Sequence, residues 1–167
     1  YIKFGQVMST RPDVVGVDLA NQLRVLQDKL PPFPTVVAIA TVEEELGQSV
    51  TTLFSEFGES VAAASIAQVH RARTAEGDRD VAVKVLRPGI ERAFRRDIDA
   101  FHFAAEWIEI LSPASRRLRP TDVVSHFESV VMGELDLRLE SAAASEFANN
   151  TRDDPGFAVP PPVWELS

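Results

Sequence analysis

An α+β fold is the class this sequence predicts, and three observations predict it. Apolar residues at helical spacing form stripes on both sides of the middle of the chain. Between those stripes the character changes: Ile66 to Ala72 and Val81 to Leu86 are rich in β-formers, and Glu76-Gly77-Asp78 between them has turn chemistry, so the region reads as a β-hairpin. The resulting order is helices, hairpin, helices and a final strand beginning at Val163-Trp164-Glu165-Leu166-Ser167, with no internal repeat.

The elements follow in order. Leu19, Leu23, Leu26 and Leu30 mark an amphipathic helix over Asp18 to Leu30, which Pro31 and Pro32 stop. Thr35 to Leu46 is a second helix ending at Gly47, and its Glu43-Glu44-Glu45 run reads as a solvated face. In the second hairpin strand Val81, Val83 and Val85 share one face, and Ala82, Lys84 and Leu86 share the other. After Pro88-Gly89, the stripe Ile90, Phe94, Ile98, Phe101, Ala105 and Ile108 predicts a long helix, broken near Ser112-Pro113. Thr121 is positioned to cap one more helix, with Phe127, Val131, Leu135, Leu139 and Ala142 as its stripe. Residues 134–140 alternate with period two and alone would pass for a strand; the flanking helical stripe assigns them to the helix.

Composition excludes several functions. The 167 residues carry a net charge of −8, the wrong sign for nucleic-acid binding by counterion release. There are no cysteines, hence no disulfide or thiolate metal site, and no run of 18 uncharged apolar residues to span a membrane. His70, His102 and His126 lack ligand spacing, and the expected metal set is none. Arg87, Arg92, Arg95 and Arg96 form a basic cluster that could meet phosphate or an anionic membrane surface, or remain solvated helix arginines. The opening Tyr1-Ile2-Lys3 and the closing Glu165-Leu166-Ser167 read as cut ends.

Lysine is scarce: Lys3, Lys29 and Lys84 are the only three. Lys84 stands alone as a cation in an apolar strand, the arrangement a nucleotide site uses to aim a fixed ammonium at phosphate oxygens, and Val81-Ala82-Val83-Lys84 matches the strand lysine of protein kinases. A lysine snorkelling from an edge strand is the alternative. Upstream, where a kinase has its glycine-rich turn, the chain reads Val61-Ala62-Ala63-Ala64-Ser65-Ile66-Ala67, with no glycine. Alanine resists positive φ by roughly 1–2 kcal/mol, so this loop is stiffer than a G-x-G-x-x-G loop or is no phosphate loop at all.

Five motifs in order sharpen this reading: Lys3-Phe4-Gly5-Gln6 with Ser9-Thr10-Arg11-Pro12-Asp13, Leu26-Gln27-Asp28, the alanine-rich run continuing through Gln68-Val69-His70-Arg71-Ala72, Val-Ala-Val-Lys, and Glu134-Leu135-Asp136. From residue 3 to about 150 the chain resembles the UbiB family of atypical protein-kinase-like proteins, also called aarF-domain kinases. The resemblance implies a kinase-like small lobe with a hairpin-based antiparallel sheet over residues 59–167, preceded by a helical extension over 1–58. It implies a nucleotide site at Ala62, Ala63, Ala64, Ser65, Ala82 and Lys84, with Glu140 as the lysine's acidic partner. Lys3, Gly5 and Gln6 match the K-x-G-Q motif that folds over the cleft, and Glu134 and Asp136 match the E-x-D motif that meets it. Asp136 and Glu140, four apart, are expected on one helix face; without the resemblance, all three acids read as a solvated helix face.

The catalytic-loop Asp and Asn and the metal-binding Asp of a kinase are not found after Glu140, and Asp154-Pro155-Gly156-Phe157 has the wrong order for D-F-G. The expectation is therefore the extension and small lobe of an atypical kinase or ATPase, with no catalytic residue in this stretch and ATP or ADP with Mg held by the whole protein. The resemblance links it to isoprenoid-quinone or lipid metabolism, in the cytoplasm, with lipid or quinone-pathway partners, room for peripheral membrane contact and no nucleic acid. The alternative is a non-catalytic lipid- or partner-binding module.

Overall fold

A computed structural model of the chain describes Gly5, Ser9 and residues 16–23, 31–113, 115–156 and 158–167. Within them the order is α1 (Val17–Leu23), α2 (Thr35–Leu46), α3 (Val50–Leu53), β1 (Phe54–Ala63), β2 (Ala67–Thr74), β3 (Asp80–Leu86), α4 (Ile90–Leu111), a 3₁₀ turn (Ser115–Leu118), α5 (Pro120–Leu135), α6 (Leu137–Asn150) and a second 3₁₀ turn (Trp164–Leu166). The α+β class holds, with one antiparallel sheet in the order β1-β2-β3.

The expected hairpin is β2–β3, closed at Glu76-Gly77-Asp78 with Gly77 and Asp78 both in the left-handed region. Thr74 ties the turn down: its hydroxyl donates to the Glu76 carbonyl at 2.7 Å and accepts from the Arg79 N–H at 3.1 Å. The strand that periodicity missed is β1. Its sequence, FSEFGESVAA, does not alternate cleanly, because its pairing with β2 shifts register at three places. Gly58 sits in that irregular stretch. A Cβ there would stand 3.0 Å from the Arg71 carbonyl, so any other residue would push the two strands apart by a few tenths of an ångström.

The two faces of β3 separate as the alternation requires. Val85 is buried with Ala38, Val42, Leu53, Phe54 and Ala72, and Val81 and Val83 pack against the same cluster, so α2 covers this face. Leu86, on the opposite face with Ala82 and Lys84, packs against a second core of Ile66, Ala67, Phe94, Ile98, Phe127 and Val131. This second core joins the tip of the sheet to α4 and α5. Phe127 is 1% exposed, and truncating it to alanine would cost about 3–5 kcal/mol.

Several expectations are corrected. The single helix after Pro120 is two, because Asp136 leaves the helical region (φ −88°, ψ 93°) and caps α6, its carboxylate accepting from the Arg138 N–H at 3.0 Å. Thr121 does not cap α5; Arg119 occupies that position, Pro120 opens the helix, and the Thr121 hydroxyl donates to Glu109 at 2.7 Å. The stripe of α4 holds at Phe94, Ile98 and Ala105, but Ile108 is 46% exposed. Residues 164–166 form a 3₁₀ turn, not a strand, and Leu166 packs on the α2-side core. Glu43 is not simply solvated: its carboxylate accepts from the Val50 N–H at 2.8 Å and so starts α3. Of the first helix, Val17–Leu23 is described, and Leu26 and Leu30 lie outside the described residues. No helix among the described residues is long and apolar enough to cross a membrane.

Candidate functional site

A cleft of about 450 Å3 opens where the sheet tip meets the end of α5 and the start of α6, lined by Ile66, Lys84, Val130, Gly133, Glu134, Leu139 and Glu140. Its lining combines the apolar Ile66, Val130 and Leu139 with the charged Lys84, Glu134 and Glu140. Lys84 comes from the β3 face opposite Val83 and Val85. Glu140 comes from the first turn of α6, and the Lys84 ammonium donates to its Oε2. The lysine side chain is 36% exposed and the glutamate 59%, so the pair is open to solvent and the ammonium faces the cleft.

The helix break explains how Glu140 arrives there. Had α5 continued, residue 140 would stand about 180° round the helix from Val131, on the side away from the second core. The turn at Asp136 redirects the chain, and α6 contributes no buried residue at all. Leu139, expected in the core stripe, is 57% exposed and lines the cleft. Asp136 and Glu140 therefore do different work: one is a cap outside the helix, the other a first-turn acid facing Lys84. Glu134, in the last turn of α5, lines the cleft directly.

The alanine-rich run divides between elements. Ala62 and Ala63 end β1; Ala64, Ser65 and Ile66 form the connection to β2, closed by the Ala64 N–H donating to the Ala67 carbonyl at 2.8 Å. None of these residues has positive φ; among the described residues other than glycine, only Asp78 and Arg119 do. The connection is thus a tight turn built within alanine's allowed space, and no glycine is needed to make it. Of this run, Ile66 is the one that lines the cleft. Ala82 is on the Lys84 face of β3, two residues away, beyond the cleft lining. Gly5 is helical and buried, whereas Lys3 and Gln6 lie outside the described residues. No group of three His, Asp or Glu among the described residues could hold a metal ion.

Sequence reasoning missed two contributors and misassigned a third. Gly133 lies inside α5, where helical propensity disfavours it, and a Cβ there would meet nothing within 4 Å; an isolated helical glycine was the available signal. Gln68, 1% exposed, binds the Phe33 backbone on both sides, accepting from its N–H at 2.8 Å and donating to its carbonyl at 3.1 Å. That fixes the amide's orientation, so its Nε2 donates to His70 Nε2 at 2.8 Å while His70 Nδ1–H donates to the Gly58 carbonyl at 2.9 Å. His70 is therefore a structural strand residue, fully buried and stacked on Phe57. The third is Arg87, which leaves the expected basic cluster: its guanidinium is taken up by backbone carbonyls, and Arg95 pairs with Glu91 at 2.6 Å.

Comparison with known proteins adds the following. Residues 25–167 match the sequence pattern of the ABC1 atypical kinase-like domain. The chain is 44% identical over 166 residues to the protein named "Probable protein kinase UbiB" of Pseudomonas aeruginosa strain PAO1, covering 99% of this chain and 31% of that protein. It is 41% identical over 168 residues to the protein of the same name from Marinobacter nauticus, covering 100% of this chain and 30% of the relative. The Pseudomonas putida protein of that name is 42% identical over 167 residues. The chain thus spans about a third of the length of the curated relatives it matches.

Proposed function

This chain belongs to the ABC1 atypical kinase-like family, and on that premise we propose that it forms the nucleotide-facing small lobe of an atypical kinase or ATPase of the UbiB type. The observation carrying this reading is the Lys84–Glu140 pair on the lining of the cleft, which Ile66 at the end of the alanine-rich turn also lines. An ammonium on a rigid strand, oriented by a carboxylate from a neighbouring helix, suits phosphate oxygens, because phosphoryl transfer relies on positioning and charge neutralisation more than on covalent chemistry. The apolar lining from Ile66, Val130 and Leu139 suits the less polar part of a nucleotide, and the open β3 face at Ala82 leaves room beside it. ATP would supply the transferable phosphoryl group. Lys84 would hold phosphate oxygens, Glu140 would orient Lys84, and the turn 62–66 would limit how closely backbone approaches the phosphates.

The described residues do not fit a magnesium site, since no three carboxylates converge. Metal ligands and catalytic base are assigned to parts of the whole protein beyond this third of it. A lipid-linked or isoprenoid-quinone substrate, a cytoplasmic location and peripheral membrane contact rest on the family resemblance alone. The outward face of α4, with Phe103 64%, Trp107 45% and Leu111 73% exposed, favours a second reading, a non-catalytic lipid- or partner-binding module. Nucleotide hydrolysis by the complete protein, with and without lipid vesicles, separates the two. Turnover abolished by Lys84→Met supports the enzyme; vesicle binding with no turnover under any condition supports the module.

A further inference from the structure

The segment Pro31-Pro32-Phe33-Pro34 leads into α2, and three prolines deprive it of backbone donors. Its remaining polar groups still need partners, and two side chains from the sheet supply them. Gln68 pairs both backbone groups of Phe33. Arg87 donates from Nη2 to the Pro31 carbonyl at 2.8 Å, and its plane lies 5.5 Å over the Phe33 ring. The same guanidinium donates to the Ala64 carbonyl from Nε at 3.2 Å and from Nη2 at 3.1 Å. Its own backbone N–H donates to the Ile66 carbonyl at 2.8 Å. The turn that follows fixes the arginine, with Gly89 in the left-handed region (φ 70°) and the Ile90 N–H closing onto the Arg87 carbonyl at 3.1 Å.

We propose that Arg87 is a positioning residue that sets the conformation of the alanine-rich turn by fastening it to the proline segment ahead of α2. One planar fork holds carbonyls 31 and 64 together, which a lysine's single nitrogen does not reproduce. The residue sits three positions after Lys84 on the same strand exit, so the lysine and the turn are referenced to one rigid point. Whatever moves the proline segment moves the turn through Arg87. This inference rests on the proposed function only for its nucleotide consequence; the mechanical coupling stands on the geometry above.

The test uses the complete protein with Arg87→Ala and Arg87→Lys, read by amide hydrogen exchange without nucleotide and by binding of ATP and ADP. In Arg87→Ala, exchange at Ala64 and Phe33 should rise at least tenfold while the α4 and α5 amides keep wild-type protection, and the ratio of ATP to ADP affinity should change. Arg87→Lys, which keeps the charge, should also raise exchange and recover only part of the wild-type affinity ratio. Should Arg87→Ala fail to fold, Arg87→Lys carries the exchange measurement alone. Wild-type exchange at residues 33 and 64 in the folded variants overturns the coupling, whatever the nucleotides do. Raised exchange in a protein that binds no nucleotide even as wild type supports the coupling and overturns the proposed function instead.

Discussion

Replacing Lys84 and Glu140 singly and together separates a positioning pair from a stabilising one. A fully desolvated pair would lose about 3–5 kcal/mol of fold stability when one partner is removed. Here the side chains are 36% and 59% exposed, which places the pair with solvent-screened ones worth about 0.2–1 kcal/mol. Lys84→Met or Glu140→Gln should therefore lower the melting temperature of this domain by no more than roughly 2–4 °C. Turnover should respond far more, because a small misplacement of a phosphate-holding group costs on the order of 100-fold, or about 2.7 kcal/mol in the barrier. The assay is nucleotide hydrolysis or phosphoryl transfer by the complete protein, with thermal unfolding of the same samples alongside. Since both single changes remove one shared unit, the double variant should be little slower than either. Two losses that add in full would refute the reasoning, and Glu140 would then be an ordinary first-turn acid of α6.

Three further outcomes are expected. Ala63→Gly and Ala64→Gly should lower stability by about 0.4–1 kcal/mol through the unfolded state, measurable by denaturant unfolding, and should alter discrimination between ATP and ADP in equilibrium binding; unchanged discrimination would remove the turn from the site. Gly133→Ala should raise stability by about 0.5–1 kcal/mol, since the new Cβ meets nothing, yet weaken nucleotide binding by placing a methyl group at the cleft lining; tighter binding would contradict this. Glu109 is held below its ordinary pKa chiefly by the Thr121 side-chain hydrogen bond, then by the Thr121 N–H. A depressed carboxylate contributes stability above its unfolded value and loses it as pH falls through the folded one, so unfolding at pH 7 and pH 3 should differ less in Glu109→Gln than in wild type.

Where local periodicity and tertiary packing agreed, the sequence could be read directly. The β3 alternation separated Lys84 from Val83 and Val85, and Phe94 and Ile98 marked the buried side of α4. The missed features arise from particular conflicts. β1 is irregular because Gly58 lets two backbones close on each other, a relationship between strands that neither strand's pattern contains. The break at Asp136 was hidden by a stripe that passes through it, although the alternation over 134–140 was its trace: a residue in extended backbone interrupts helical spacing. Lys84 stood out as the lone cation of an apolar strand and Glu140 followed from the family resemblance, and the geometry brings them together. Arg87 could be read only as part of a basic cluster, because its partners are the backbone carbonyls of Pro31 and Ala64, distant in sequence.

The lightness with which α6 is held has a consequence for how occupancy of the cleft could be sensed. A helix of 14 residues with no buried side chain is close to the length at which isolated helices are marginal in water. Its equilibrium between docked and undocked forms therefore rests on half-buried contacts and on the Lys84–Glu140 pair. An ion pair of up to about 1 kcal/mol biases such an equilibrium by only about fivefold. A ligand that draws the Lys84 ammonium away from Glu140 competes with docking, and one that engages both reinforces it. By thermodynamic linkage, anything gripping α6 from outside changes affinity in the cleft by the same factor that the ligand changes the grip. The outer surface of α6 thereby becomes a remote handle on the lysine.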